Sequence, residues 1–313
     1  MTVEGYWPEL NEYLCLVELD APITAVTLDC LVDDVLPRGQ QRVGEQWESG
    51  AWTVAQEHLA TQAAARVLES AATRYARSPN RSESIISVCA YGEWHSLAAD
   101  SLAVAMEVAG YDVVRTRQST QPAQVSSLIH DHGPRTVTIS CSMAANLPGA
   151  YRMIRACLDT GTPVIVGGAG FGRDDTRAKR LGATAWASRI SEVSDLAAGL
   201  RGGKTVRPLR DTLPADFALT GATSVAERLS AALIDDSAHD VTTVSIGTWL
   251  LRSLRASILC DDHTIFDGHV QWQRRRSVSG ADPALDPVLI AVRDAIPNEA
   301  ETARSLVDKH VAG

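Results

Sequence analysis

The chain has 313 residues, 45% of them apolar and 21% charged, with a net charge of −9; this is the composition of a globular protein long enough for two or three domains. The negative balance excludes a whole-protein electrostatic attraction to nucleic acid or to an anionic membrane. Six scattered cysteines (15, 30, 89, 141, 157 and 260) form no Cys-x-x-Cys pair, which argues against a zinc or iron–sulfur site and for a reduced, cytoplasmic protein. Met1-Thr2-Val3-Glu4-Gly5 lacks the basic start of a signal peptide, and no stretch is long and apolar enough to suggest a membrane span.

From about Tyr6 to Arg77 the apolar spacing is helical: Tyr13, Leu14, Leu16 and Val17, then Val26, Leu28, Leu31, Val32 and Val35, then the alanine-rich Trp52–Ala76. Pro22 and Pro37 stand at expected helix starts, and four helices of this size predict a bundle over residues 1–80. Ser78–Ser82 reads as a linker. From Ser84 strands and helices alternate. Strands are expected at Ile85–Ala90, Val113-Val114, Thr136–Ser140, Val164–Val166 and Ala183–Ala187, with helices at Leu97–Ala109, Pro122–His130, Ala150–Leu158, Thr176–Leu181 and Ile190–Leu200. That alternation predicts a parallel sheet covered on both faces over residues 81–203. After a linker through Pro208 and Pro214, only helices are expected over residues 204–313: Ser224–Asp235, Ile246–Cys260, Ile265–Arg275, Pro287–Ala295 and Ala300–Val311. The fold class is therefore multidomain α and α/β. His130 and His132 read as surface residues of the second α/β helix.

Candidate chemistry begins where the first strand stops. His95 follows that strand, at the carboxyl edge where such sheets bind ligands, and Glu93 is placed to hydrogen-bond the imidazole and fix its tautomer. Ser140 closes the third strand, and Gly167-Gly168 follow the run Pro163-Val164-Ile165-Val166. The glycines lack dinucleotide Gly-x-Gly-x-x-Gly spacing. This succession resembles the cobalamin-binding module, whose pattern is Asp/Glu-x-His-x-x-Gly, then Ser-x-Leu, then Gly-Gly, over roughly Ser82–Gly202. The resemblance implies a Rossmann-like domain with His95 as lower cobalt ligand, and with Ser140, Gly167 and Gly168 lining the slot for the nucleotide tail. Ala98 and Ser142 depart from the pattern, standing where the family prefers Gly and Leu.

Ahead of that module, Trp47 is followed after nine residues by Glu57-His58. This Trp-x9-Glu-His motif resembles the light-sensing cobalamin proteins that repress carotenoid synthesis in bacteria. The resemblance implies adenosylcobalamin as cofactor, Trp47 packed on the adenosyl group and Glu57 in contact with it. His58 becomes the upper cobalt ligand after light removes that group, giving a bis-histidine state. That family reads out through an N-terminal helix-turn-helix; this chain starts almost directly with the bundle, so direct DNA binding is not expected.

The last helices carry Cys260-Asp261-Asp262-His263, His269, Trp272 and Arg274-Arg275-Arg276. The residues themselves leave two readings open, a tetrapyrrole site with arginines on propionates and a dimerisation bundle with a solvated basic helix end. A cobalamin sensor without a DNA-binding domain but with such a helical extension resembles the photocobilins, which pair cobalamin with biliverdin. That implies a light-dependent homo-oligomer; no specific bilin motif is matched, and His239, Cys260, His263 and Arg275 are candidate bilin residues on side-chain chemistry alone. The expectation is a photoreceptor, not an enzyme, acting on an unidentified downstream protein. The alternative is a corrinoid methyl-carrier of a methyltransferase system; cobalamin storage or delivery is a third possibility. No acid–base pair, nucleophile or phosphate loop stands out.

Overall fold

The computed structural model describes residues 8–19, 26–76, 83–116, 120–200, 213–234, 241–280 and 282–311. The chain divides into two compact units. Residues 8–47, 51–142 and 149–200 belong to the first, and 48–50, 143–148 and 213–311 to the second.

The first unit opens with α1 (Pro8–Leu16), then a helical run made of α2 (Leu28–Cys30), a π-helical turn (Leu31–Val35) and α3 (Leu36–Glu48), then α4 (Val54–Arg74). Among the described residues this is three helical runs where the periodicity predicts four helices. Pro37 lies inside the second run, not at a helix start. Its ring would collide with the carbonyl of Asp33 in an α-helix, and the wider π turn just before it accommodates the ring without a break. Pro22 and the Ser78–Ser82 linker lie outside the described residues. α4 buries Ala60, Ala63, Ala64, Val67, Leu68 and Ala71. These small side chains let α1 pack closely on α4, with Leu10, Tyr13 and Leu14 in the same core. Thr53 caps α4 in a reciprocal box with Gln56, which satisfies two otherwise orphaned donors.

Then β1 (Ser84–Cys89), α5 (Leu97–Val108), β2 (Asp112–Arg115), α6 (Pro122–His132), β3 (Thr136–Ser140), α7 (Leu147–Asp159), β4 (Val164–Gly167), α8 (Thr176–Arg180), β5 (Ala185–Ala187) and α9 (Val193–Gly199) alternate. The strands form one parallel sheet in the order β2-β1-β3-β4-β5. β1 and β3 are almost wholly buried, as parallel strands covered on both faces must be. The order reverses between β1 and β3, the switch point at which open α/β sheets bind ligands.

Helices and sheet are tied within this unit by Asp33, whose side chain is 1% exposed. It accepts hydrogen bonds from the backbone N–H of Ile190 (2.6 Å) and Ser191 (3.3 Å) and from Arg189 Nε (3.3 Å).

The second unit holds α10 (Ala215–Thr220), α11 (Thr223–Ile234), α12 (Val241–Cys260), α13 (Thr264–Val278), α14 (Leu285–Ala295) and α15 (Glu301–Val311). Its described residues contain no strand. α12 is central, packing against α10, α11, α13, α14 and α15. The α12–α13 turn is closed by the buried Ser257 hydroxyl, which donates to Asp262 O and accepts from Phe266 N–H, both at 2.9 Å.

Candidate functional site

Strand register builds the site. Cys89 pairs with Ser140 and Ser140 with Gly167, so the three central strands end in one line and their following loops share the sheet's carboxyl edge. After β1, Gly92 turns the chain with φ 86° and delivers Glu93 inward and His95 outward. The Glu93 side chain is 0% exposed and that of His95 61%. One carboxylate oxygen of Glu93 takes the His95 Nδ1 proton at 2.5 Å and the His95 backbone N–H at 3.1 Å. The other accepts from the backbone N–H of Ser142 at 3.0 Å. A buried acceptor on Nδ1 fixes the tautomer in which the neutral ring carries its lone pair on Nε2. The hydrogen bond to Glu93 raises the imidazole pKa above its ordinary value; burial opposes this, and the charges of Glu93 and Glu57 add to it.

The third partner of Glu93, Ser142, comes from the loop after β3 and was not anticipated from sequence. It locks the β1 and β3 loops together across the switch point. The glycine pair has a defined steric duty there. Gly168 has φ 97°, and a Cβ on it would lie 2.5 Å from Cys141 O, while its neighbour Gly170 donates to that same carbonyl at 2.9 Å. Gly149 is needed likewise, since a Cβ there would stand 1.9 Å from Tyr91 O. Ser140, the last residue of β3, is buried, with 6% of its surface exposed.

Cys89 lies close by, its sulfur 4.0 Å from His95 O. Burial, with the charges of Glu93 and Asp100, pushes its thiol up to about 12. It therefore stays protonated near neutral pH and does not compete as a metal ligand. Among the described residues no cluster of three or more His, Cys, Asp or Glu side chains would hold a bare metal ion. One oriented imidazole at a glycine-lined sheet edge is the donor set suited to a metal that a macrocycle already surrounds.

The bundle brings its own candidates to this edge. Glu57 is near enough to His95 for its charge to act on the imidazole. His58, beside it on the first turns of α4, is exposed at 67%, with Nε2 3.7 Å from Glu57 Oε2. The helix does break between Trp47 and Glu57, and α3 and α4 touch through Gln40, whose carboxamide oxygen lies 3.4 Å from the Thr61 hydroxyl. Trp47 is two turns beyond Gln40 on α3, and Glu57 one turn before Thr61 on α4. Trp47 is half-buried.

These features meet family models at the expected places. Residues 83–191 match the B12 binding domain, and residues 18–71 match a second B12 binding domain model. The chain carries a cobalamin-binding module. The first match spans Glu93, His95, Ser140, Gly167 and Gly168, and the second spans Trp47, Glu57 and His58. The chain is similar to the monomethylamine corrinoid protein of Methanosarcina barkeri (18% identity over 53% of this chain and 80% of that one, TM-score 0.47). It is similar also to a cobalamin-binding protein of Desulfitobacterium hafniense DCB-2 (16%, 62% and 98%, TM-score 0.36). A third likeness is to the methanol:cobalamin methyltransferase complex MtaBC of Methanosarcina barkeri (18%, 57% and 70%, TM-score 0.37). At these identities and scores the likeness is one of fold. A search among curated proteins found no match.

The bilin candidates of the second unit are not gathered in the same way. His239 lies outside the described residues. Cys260, in the last turn of α12, is a buried thiol, 1% exposed. His263 is exposed at the start of α13. Arg275, twelve residues and therefore about 18 Å further along the same helix, is engaged with Glu48. His269 and Trp272, between them, face each other with ring centroids 5.7 Å apart. No helix among the described residues is long and apolar enough to cross a membrane.

Proposed function

We propose that this protein is a cobalamin-dependent light sensor whose helical cap governs the upper face of cobalt. The observation that supports the reading is that the charge of Glu57, on the cap, acts on the His95 imidazole. Adenosylcobalamin supplies a weak cobalt–carbon bond that visible light breaks. His95 would hold cobalt, with Glu93 orienting that imidazole. Ser140, Gly167 and Gly168 would line the slot for the nucleotide tail, and Trp47 and Glu57 would meet the adenosyl group. His58 would be available to bind cobalt once that group is lost, and the change would bias one packing of cap on module over another. In this reading the helices of residues 213–311 carry biliverdin as a second chromophore and change the oligomeric state in light.

The test is dark reconstitution with adenosylcobalamin and biliverdin, followed by green illumination, absorption spectra and gel filtration of wild type and His58→Ala. The variant is expected to bind and photolyse as wild type does but to give a different product spectrum; an identical product spectrum sinks the role given to His58. The second reading, a corrinoid methyl carrier, is favoured by the exposure of Val54 (56%) on the first turn of α4, which leaves that part of the cap surface open to another protein. It is the reading to adopt if illumination gives nothing beyond the photochemistry of the free cofactor.

A further inference from the structure

Glu57 is the end of a line of polar contacts that begins inside the cap. Thr61 Oγ1, one turn further along α4, lies 3.1 Å from Glu57 Oε1 and 3.4 Å from Gln40 Oε1. The Gln40 carboxamide donates to the Tyr13 hydroxyl at 3.3 Å. Tyr13 is 0% exposed, and its hydroxyl occupies the space that a side chain on Gly39 would need: a Cβ there would stand 2.0 Å from that oxygen. Burial pushes the phenol up to about 12, so it remains a neutral partner. A core that needed only packing would be served by Phe at position 13, with no gap at Gly39 and no carboxamide beside it. The polar line needs all three.

The contacts divide the labour at Glu57. Thr61 has one hydroxyl proton and two acceptors in reach. Donated to Glu57 Oε1, that proton holds the carboxylate in one orientation and turns Oε2, which lies 3.7 Å from His58 Nε2 and outside hydrogen-bond distance of it, towards the upper group. An adenosyl group offers ribose hydroxyls and an amine as donors; a methyl group offers none. We propose that Gln40 and Thr61 are positioning residues, anchored on Tyr13, that aim Glu57 and so make the cap discriminate an adenosyl from a methyl upper ligand. This rests on the role given above to Glu57.

Equilibrium dissociation constants for adenosyl-, methyl- and hydroxocobalamin, measured in the dark, test it. Thr61→Val is isosteric and keeps the helix but removes the hydroxyl. It is expected to weaken adenosylcobalamin binding by about fivefold, the net worth of one ordinary hydrogen bond, with methyl- and hydroxocobalamin changed less than about twofold on the same scale. Thr61→Ser restores the preference, Gln40→Met reproduces part of the loss, and Thr61→Val added to Glu57→Ala has no further effect. In the cofactor-free protein, the Gln40 side-chain amide resonances shift in Thr61→Val and not in Thr61→Ser. If Glu57→Ala leaves the adenosyl preference intact, the upper-face reading itself fails. If Glu57→Ala abolishes the preference and folded Thr61→Val retains it, the positioning role is overturned while the upper-face reading stands.

Discussion

Replacing Glu93 by Ala isolates what orienting the imidazole is worth. The wild-type carboxylate is 0% exposed and accepts the His95 ring proton and the backbone N–H groups of His95 and Ser142. Removing it orphans two backbone donors at about 1–3 kcal/mol each, while the half-exposed ring finds water. Against that, the wild type bears a desolvated carboxylate, a cost of several kcal/mol that the variant escapes. The two largely offset, so the cofactor-free protein is expected to lose only about 1–2 kcal/mol, read from urea unfolding. Cobalt ligation has no such compensation: the ring is free to rotate and to take the wrong tautomer, and affinity is expected to fall about 10–100-fold. Titration with hydroxocobalamin followed by visible absorption measures both the affinity and the fraction with histidine bound to cobalt. His95→Ala in parallel defines the spectrum without that ligand. A folded Glu93→Ala protein that binds within about twofold of wild type, with the same histidine-bound spectrum, refutes the argument that Glu93 fixes the ligand.

Asp33→Ala is expected to lower the stability of the first unit by about 2–4 kcal/mol, because three donors converge on a carboxylate that is 1% exposed; a change under about 0.5 kcal/mol in urea unfolding would show that the cap holds to the sheet without it. Burial lowers the pKa of His269 from 6.5 to about 4, so the folded state resists its protonation. The stability it contributes is present above pH 6.5 and is lost as pH falls towards about 4, at most about 3 kcal/mol. The second unit of wild type should therefore weaken over that window while His269→Gln does not, and parallel pH curves for the two proteins would contradict the assignment.

What could be read from the sequence follows from where the information sits. β1, β3 and β4 are buried on both faces, so they appear as short apolar runs whatever surrounds them. β5, only Ala185–Ala187, has too little pattern, and its start was placed two residues early. α10 follows directly on Pro214 and was absorbed into the linker by composition. The π turn before Pro37 leaves no mark, since one inserted residue hardly alters helical spacing over five. Glu93 and His95 were legible as a pair because two residues of separation can place carboxylate against imidazole without help from the fold. Ser142 was not, because its N–H reaches Glu93 only through the register of β1 on β3. The same holds for Gln40: its partners Tyr13 and Thr61 lie 27 and 21 residues away, and the gap at Gly39 that admits Tyr13 exists only once α1 and α3 have packed. Cys260, His263 and Arg275 were grouped because they crowd one stretch of sequence, but a helix spreads twelve residues over three turns.

The two candidate cobalt ligands are built to opposite specifications, and that asymmetry carries the functional argument. His95 stands on a sheet edge and is clamped through a buried carboxylate to the loops after two adjacent strands; displacing it would orphan backbone donors in the core. His58 stands on the early turns of α4, 67% exposed, with a carboxylate 3.7 Å away on the same helix as its polar neighbour among the described residues. Releasing that contact costs little, since exposed ion pairs are worth roughly 0–1 kcal/mol. A ligand that must be present at all times belongs on the first kind of support. One that must wait, and then move onto a coordination position when it falls vacant, belongs on the second. A carrier that exchanged its upper group with another protein would need the first arrangement and has no use for the second, which is why the weakly held imidazole on the cap, and not the lower ligand, is the residue on which the sensor reading should be judged.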